Sequence, residues 1–169
     1  LFRIASLKSS TSRRNRSLSA TVISWRPSLV VTVNFAGMIT GRAPDAIAAE
    51  CVTQGEVDIS FSASMKYADG VIATIDCGFN SFSWTGSELI GTRGVITMPE
   101  TFSGNPGIIT VTTKEGRQEI TVAESDRFLL EVEDFSDAIL NNRPPLVSLD
   151  ETLRNMRIID RLLQAVNLV

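Results

Sequence analysis

The chain has 169 residues, a net charge of −3 and 43% hydrophobic residues. That length is sufficient for one domain with a buried core, and that hydrophobic content is too high for a chain that is disordered throughout. No apolar run approaches the roughly 20 residues that span a bilayer, so we expect no membrane partner. The chain has no histidine and its two cysteines, Cys51 and Cys77, form no Cys-x-x-Cys motif, so we expect no metal site. Their spacing does not decide whether they form a disulfide, and we expect two reduced thiols in the core.

The first 30 residues differ sharply from the rest of the chain in charge. They contain six basic residues and no acidic one, whereas residues 31–169 contain the other ten basic residues and all 19 acidic ones. Serine and arginine dominate this segment without a hydrophobic period, so we expect residues 1–30 to be disordered or non-native, with a boundary near residue 30. A solvated tail, a targeting segment and a basic stretch for nucleic acid are the alternatives. Since the cluster at 13–16 lacks aromatic side chains on which bases stack, we expect no nucleic-acid partner.

A short helix and a strand are predicted next. The apolar piece Val33–Ile39 ends at Thr40-Gly41, where glycine suits the left-handed conformation that caps a helix. Arg42-Ala43-Pro44-Asp45 then forces a turn, because proline fixes its own backbone and restricts the residue before it. Ala46–Val52 follows as a strand.

The clearest element is a strand over Asp58–Tyr67, in which apolar and polar side chains alternate strictly. This period of two is typical of a strand with one buried face and one wetter face. Ala68-Asp69-Gly70 predicts a hairpin turn, and Val71–Phe79 is the partner strand. A further strand is expected over Trp84–Ile90.

The remaining strands are short and are separated by turn signals. Gly91-Thr92-Arg93-Gly94 is a turn rather than a phosphate-binding loop, because a strand, Val95–Met98, follows it instead of a helix. A loop at Pro99–Pro106 comes next. Ile108–Lys114 and Arg117–Val122 then form a second hairpin.

Two helices are predicted at the end of the chain. The first has one apolar stripe at helical spacing and ends before Pro144-Pro145. Its stripe consists of Phe128, Val132, Phe135 and Ile139. The second opens with Ser148-x-x-Glu151, a capping box. Its expected buried stripe is Leu149, Leu153, Met156, Ile159, Leu163 and Val166. Since hairpins dominate the strand region, the fold class is α+β, with a largely antiparallel open sheet and helices on one face.

Several strings in this order resemble the C-terminal domain of the Gfo/Idh/MocA oxidoreductase family. They span residues 33–166 and lie in the first helix, the first hairpin, the next strand and both final helices. The strings are Asn34–Pro44, Ala68–Cys77, Glu88–Ile96, Glu131–Ile139 and Asn155–Asp160. The resemblance implies a two-domain enzyme in which a nucleotide-binding domain holds NAD or NADP. The part present here would then shape the pocket for a sugar, polyol or related diol and pair sheets between subunits.

The sequence departs from the family where its chemistry takes place. It contains no Gly-x-Gly-x-x-Gly, no Glu-Lys-Pro segment with the family's catalytic lysine, and no histidine for the family's Asp-x-x-x-His pair. The resemblance also begins only at about the position where the charge changes. We therefore expect this chain to have no catalytic residues and no bound cofactor of its own, although NAD or NADP is implied for the intact enzyme.

The wetter face of the first hairpin is the candidate interaction site. Small hydroxyl side chains allow two sheets to approach each other, and the resemblance favours this use of the face. The candidate residues are Ser60, Ser62, Ser64, Lys66, Thr74 and Asp76. Asp76 as a general base is the less favoured interpretation, since that role requires a partner in reach. Phe82 and Trp84 are candidate aromatics on the substrate side, with packing as the alternative.

The sequence therefore predicts the substrate-side and dimerisation domain, residues 31–169, of a cytoplasmic NAD(P)-dependent oxidoreductase. Whether the chain counts as an enzyme is left open, because we expect it to be inactive alone. The alternative is a free-standing, non-catalytic interaction module that uses the same sheet. The expected partners are a second copy of the chain and, in the intact enzyme, a sugar-like small molecule.

Overall fold

The computed structural model describes residues 19–25, 29–80, 85–103 and 105–167. They form one eight-stranded sheet with a helix before its second strand and two helices at the end of the chain. The elements are β1 (Ser19–Trp25), α1 (Leu29–Thr40), β2 (Ala46–Gln54), β3 (Val57–Lys66), β4 (Ile72–Gly78), β5 (Thr85–Gly91), β6 (Gly94–Met98), β7 (Gly107–Thr113), β8 (Gly116–Val122), α2 (Arg127–Leu140) and α3 (Leu149–Ala165).

The strands lie in the order β2-β3-β4-β1-β5-β6-β7-β8. Among the described strands the pairing of β1 with β4 is parallel, and each of the other neighbouring pairs is antiparallel. The expected α+β class, with a largely antiparallel open sheet, is confirmed. Each predicted strand from residue 46 onward is present, with ends that differ by a few residues at most.

The central strand β1 was not expected from the sequence. Within residues 1–30, which we expected to be disordered or non-native, Ser19–Trp25 forms a strand that pairs with β4 on one side and β5 on the other. Hydrogen bonds to two neighbours satisfy the backbone of this strand, so it needs no strong period in its own sequence. Residues 1–18 and 26–28 lie outside the described part, and the proposed boundary near residue 30 stays a prediction.

The alternation along β3 separates the two faces of the sheet as predicted. Phe61, Met65 and Tyr67 are buried on one face, whereas Ser62 and Lys66 are exposed on the other. Helices α1 and α3 pack on the buried face, where they contribute side chains to one core with β3 and β4. The helical core residues are Val33, Phe35, Ala36, Ile158, Ile159 and Leu162. The expected position of helices on one face is confirmed.

Local signals at the turns and helix ends behave as the sequence indicates. Gly41 follows α1 with a φ of 71°, and Gly70 closes the β3–β4 hairpin with a φ of 82°. Both values lie in the left-handed region that glycine adopts at little cost. The Asp126 carboxylate caps α2 by accepting from the backbone N–H groups of Phe128 and Leu129, at 3.0 Å each. The Ser148 hydroxyl accepts from the N–H of Glu151 at 3.2 Å and caps α3.

The predicted buried stripe of α3 is wrong for half of its residues. Ile159 is buried and Leu163 and Val166 are half-buried, but Leu149, Leu153 and Met156 are exposed. Helix α3 is rotated about its own axis relative to the prediction, because two of its polar side chains form hydrogen bonds with α1 and the turn after it. Asn155 donates to Asn34 of α1 at 2.9 Å, and Arg161 donates to the carbonyl of Pro44 at 2.8 Å.

Helix α2 forms, but its apolar stripe faces away from the core. Phe128, Val132, Phe135 and Ile139 are 60–66% exposed, and Ala138 is the buried residue of this helix in the described part. The C-terminal end of α2 is fixed instead by polar contacts. Arg143, just after the helix, pairs with Asp134 at 2.9 Å and with Asp137 at 2.6 Å. Asp134 also accepts from the N–H of Leu146 at 2.8 Å, which ties the connection to α3 back onto α2.

The orientation of α3 can be tested with two leucines of the same helix. Leu162 is fully buried, whereas Leu153 is 43% exposed. Leu162→Ala should lower the free energy of unfolding by about 2–5 kcal/mol because it leaves a cavity in the core. Leu153→Ala should lower it by less than about 1 kcal/mol, since little buried surface is lost. Urea unfolding followed by circular dichroism measures both, and equal losses would contradict this orientation.

Candidate functional site: the open face of the sheet

The face of the sheet opposite the helices is polar over β2, β3 and β4. The strand register arranges its side chains in three rows that cross these strands. We call them the basic row (Ala46, Lys66, Ile72), the middle row (Ala48, Ser64, Thr74) and the acidic row (Glu50, Ser62, Asp76). Five of the predicted site residues, Ser62, Ser64, Lys66, Thr74 and Asp76, therefore lie on one surface. Ser60 begins a further row beside them, paired with Val52 and Gly78.

The centre of this face is a shallow, open depression of about 320 Å³. Its floor is made by small side chains, because Ala48, Ser64 and Thr74 leave the backbone of three adjacent strands close to the surface. At one side the Ser62 hydroxyl donates a hydrogen bond to the Asp76 carboxylate. This contact fixes the orientation of Asp76 on the sheet.

The charges on the face are separated along the strands. Glu50 and Asp76 lie on either side of Ser62 in the acidic row, and Lys66 lies four residues from Ser62 on the same strand. At the usual rise per residue this separates the Lys66 and Ser62 backbones by about 13 Å. In the described part of the chain, the ion pairs include none of Lys66, Glu50 and Asp76.

This arrangement suits binding better than catalysis. General-base catalysis requires a proton acceptor that is held against the substrate. Asp76 lies instead on an open sheet face, where it accepts a hydrogen bond from the Ser62 hydroxyl. Within the described residues no three His, Cys, Asp or Glu side chains come together as metal ligands. We therefore assign neither general-base catalysis nor metal binding to this face.

Glu50, the second carboxylate of the face, was not predicted from the sequence. The signal that could have found it is the alternation along β2, where Ile47, Ala49 and Cys51 are more buried than Ala48 and Glu50. All of these side chains except Glu50 are small or apolar, so the period of two is faint in the sequence. The candidate aromatics Phe82 and Trp84 lie outside the described residues.

The two cysteines flank Phe61 on the core side of the sheet, one on β2 and one on β4. Both are free thiols and both are half-buried, which confirms the prediction of reduced cysteines. Burial, and to a lesser degree the nearby carboxylates of Asp58 and Asp76, raise the pKa of the Cys77 thiol to about 11. Cys77 is therefore a packing residue with low reactivity at neutral pH.

Comparison with solved structures identifies the fold. Neither a protein-family model nor a curated protein matches the chain. UDP-N-acetylglucosamine 3-dehydrogenase GnnA from Acidithiobacillus ferrooxidans is 17% identical with a TM-score of 0.73, over 90% of this chain and 54% of that one. KijD10, a 3-ketoreductase from Actinomadura kijaniata in complex with NADP, is 17% identical with a TM-score of 0.76, over 89% and 51%. Aldose-aldose oxidoreductase from Caulobacter crescentus, complexed with glycerol, is 17% identical with a TM-score of 0.73, over 88% and 53%.

This chain thus spans about half the length of the solved oxidoreductases that it matches. At such identities the likeness shows the fold alone, and this fold agrees with the one that the resemblance stated from the sequence implies. In the described part of the chain, no helix has the length and apolar character needed to cross a membrane.

The low reactivity of Cys77 can be measured directly. In a Cys51→Ser variant Cys77 is the remaining thiol, and with a pKa of about 11 only about one thousandth of it is thiolate at pH 8. Alkylation by iodoacetamide at pH 8 should be about a hundredfold slower than that of free cysteine, and its rate should climb as the pH rises towards 11. The same variant in urea serves as the control and should react at the ordinary rate. Fast alkylation of the folded variant at pH 8 would contradict this assignment.

Proposed function

We propose that this chain is the substrate-side and dimerisation part of an NAD(P)-dependent oxidoreductase that acts on a sugar, a polyol or a related diol. The fold supports this proposal, because it matches about half of each of several oxidoreductases whose names refer to sugars or to a ketoreductase reaction. The proposal places the enzyme in the cytoplasm.

The observation that carries the proposal is the apolar surface left open on the two final helices. Phe128, Val132 and Phe135 on α2 are exposed by more than half, and Leu149 and Leu153 on α3 are exposed as well. Exposed apolar stripes of this kind mark an interface on a soluble protein. We assign it to a nucleotide-binding domain, since the matched oxidoreductases extend over about as many residues again outside the shared part.

The same proposal makes this chain inactive by itself. Hydride transfer needs a bound nicotinamide, and the glycine-rich motif that holds a dinucleotide at a helix N-terminus does not occur in the sequence. The open sheet face offers carboxylates and hydroxyls, but no histidine exists in the chain to act as a proton donor to a sugar oxygen. The contribution of this part would be to shape the substrate pocket and to join two subunits through the sheet.

The second candidate is a free-standing, non-catalytic interaction module. The open polar face and the exposed helical stripes are surfaces that such a module would use. The two candidates differ in what covers the helical stripes. In the first it is a domain of the same enzyme, and in the second it is an unrelated protein.

We expect the purified chain of 169 residues to bind neither NADH nor NADPH. The reason is that the nucleotide site belongs to the part of the enzyme outside this chain. Fluorescence titration of each reduced nucleotide with the protein should give no saturable change. Concentrations on the order of 1 mM are sufficient to detect a Kd near that value. The 3-ketoreductase KijD10, whose structure holds NADP, is a suitable positive control. Micromolar binding with turnover of a sugar would contradict the proposal.

Phe135 tests whether the apolar stripe of α2 contacts a nucleotide-binding domain. It is 60% exposed, so Phe135→Ser should change the free energy of unfolding of the chain of 169 residues by less than about 1 kcal/mol. If the reading frame upstream of residue 1 encodes a nucleotide-binding domain, the same substitution in that longer protein should lower the melting temperature of the whole enzyme. An equally small effect in both proteins would contradict the assignment of this stripe to the nucleotide-binding domain.

A further inference from the structure

Helix α2 has few contacts with the rest of the chain. Among its described residues Ala138 is buried, whereas the four residues of its apolar stripe are 60–66% exposed. Helices α1 and α3 contact each other and the sheet, and α2 has no contacts of that extent within the described residues. We propose that Arg143 is the positioning residue of α2, whose guanidinium fixes the orientation of this helix so that the apolar stripe is presented to a nucleotide-binding domain. This inference rests on the proposed function and adds the residue that orients the interface.

A helix of this length needs support from outside itself. Helix α2 has 14 residues, and isolated helices of that length are marginal in water. Since its buried surface is small, the support must come from contacts at its two ends. At the N-terminal end the Asp126 carboxylate caps the helix, and the Arg127 guanidinium donates to the carbonyl of Phe102 in the loop between β6 and β7. These contacts hold one end, so the direction of the helix depends on the other.

Arg143 lies three residues beyond the end of α2 and folds back onto it. Its Nε donates to the Asp137 carboxylate at 2.6 Å, and its Nη2 donates to the carboxylate of Asp134 at 2.9 Å and to the carbonyl of Asp134 at 3.2 Å. Its Nη1 donates to the carbonyl of Pro144 at 3.0 Å. The three nitrogens of one rigid guanidinium therefore bind acceptors on α2 and on the connection to α3. A planar fork of donors fixes the direction between two segments in a way that a single ammonium does not.

Asp134 extends this contact to α3. Its second carboxylate oxygen accepts from the N–H of Leu146 at 2.8 Å, and Leu146 lies two residues before Ser148, which caps α3. The hydrogen bond from Leu146 and the adjacent Arg143 hold the pKa of Asp134 below its usual range, so this carboxylate stays charged at neutral pH. Because α3 packs in the core, these hydrogen bonds connect α2 to the folded body of the chain.

These contacts orient α2 and leave its stripe uncovered. At 3.6 residues per turn, Asp134 and Asp137 lie on roughly the opposite side of the helix from the stripe residues Val132 and Phe135. The Arg143 side chain is 37% exposed, and ion pairs in such positions add little to the stability of a whole domain. Their effect should therefore fall on the local opening of α2, which has few other contacts to hold it.

Hydrogen exchange of the full chain, followed by mass spectrometry, tests the role of Arg143. Arg143→Gln removes the fork and its charge, so it should raise the exchange rate of the α2 amides by at least about tenfold, because the helix opens more often. The amides of Ile158–Leu162 should be unaffected, since this part of α3 packs in the core. Arg157→Gln makes the same change at an exposed position of α3 and should leave α2 unaffected. Unchanged exchange in α2, or an equal rise in α2 and α3, would overturn the role of Arg143 and leave the proposed function standing.

Presentation of the stripe to a second domain is tested in a longer protein. If the reading frame upstream of residue 1 encodes a nucleotide-binding domain, that domain should cover the stripe and hold α2 from its other side. Arg143→Gln should then raise the exchange rate of the α2 amides by less than about threefold in the longer protein, compared with at least about tenfold in the chain of 169 residues. An equal rise in both proteins would overturn the contact between α2 and this domain, together with that part of the proposed function.

Discussion

The alternation of side chains along β3 determines which face of the sheet is covered by helices and which face stays open. It commits Phe61, Met65 and Tyr67 to one core, and that core is covered by α1 and α3. The same alternation places Ser62, Ser64 and Lys66 on the opposite face, where no described helix packs. A strand that is buried on one side and polar on the other requires one cover within the chain and leaves the second face for water or a partner.

The chain leaves two surfaces open, and they differ in chemistry. The stripes of α2 and α3 are apolar, with Phe135 and Leu153 among their exposed residues, and surface of that kind is stabilised by a permanent, dry contact. The sheet face is polar and carries separated charges of both signs, which set register and orientation in a contact between copies. The proposed enzyme of two domains and two subunits would use one surface of each kind, and we therefore propose that the helical stripes contact a nucleotide-binding domain and that the sheet contacts a second chain.

Much of the fold could be predicted from local patterns, because hairpin turns and helix caps depend on residues that are close together in sequence. Asp69-Gly70, Gly41 and Ser148 each define an element end through their own backbone or side chain. The central strand β1 could not be predicted, since its place depends on hydrogen bonds to β4 and β5, which are distant in sequence. The inward face of α3 was missed for a similar reason, because the contact between Asn155 and Asn34 links residues 121 apart. In the candidate site, the residues on β3 and β4 were predicted from the strict alternation of these strands. Glu50 was not predicted, because the alternation of polar and apolar residues along β2 is weak.

We propose that the face around Ser62 is buried by a second copy of the chain. Ser62→Arg tests it most directly, because the substitution places a long, unpaired charge in the middle of that contact, at a cost of several kcal/mol. Ser136→Arg, on an exposed position of α2, is the matched control. Sedimentation equilibrium should show a dimer for the unmodified chain and for Ser136→Arg, and a monomer with an unchanged circular dichroism spectrum for Ser62→Arg. A Ser62→Arg chain that dimerises as well as the control would contradict the account.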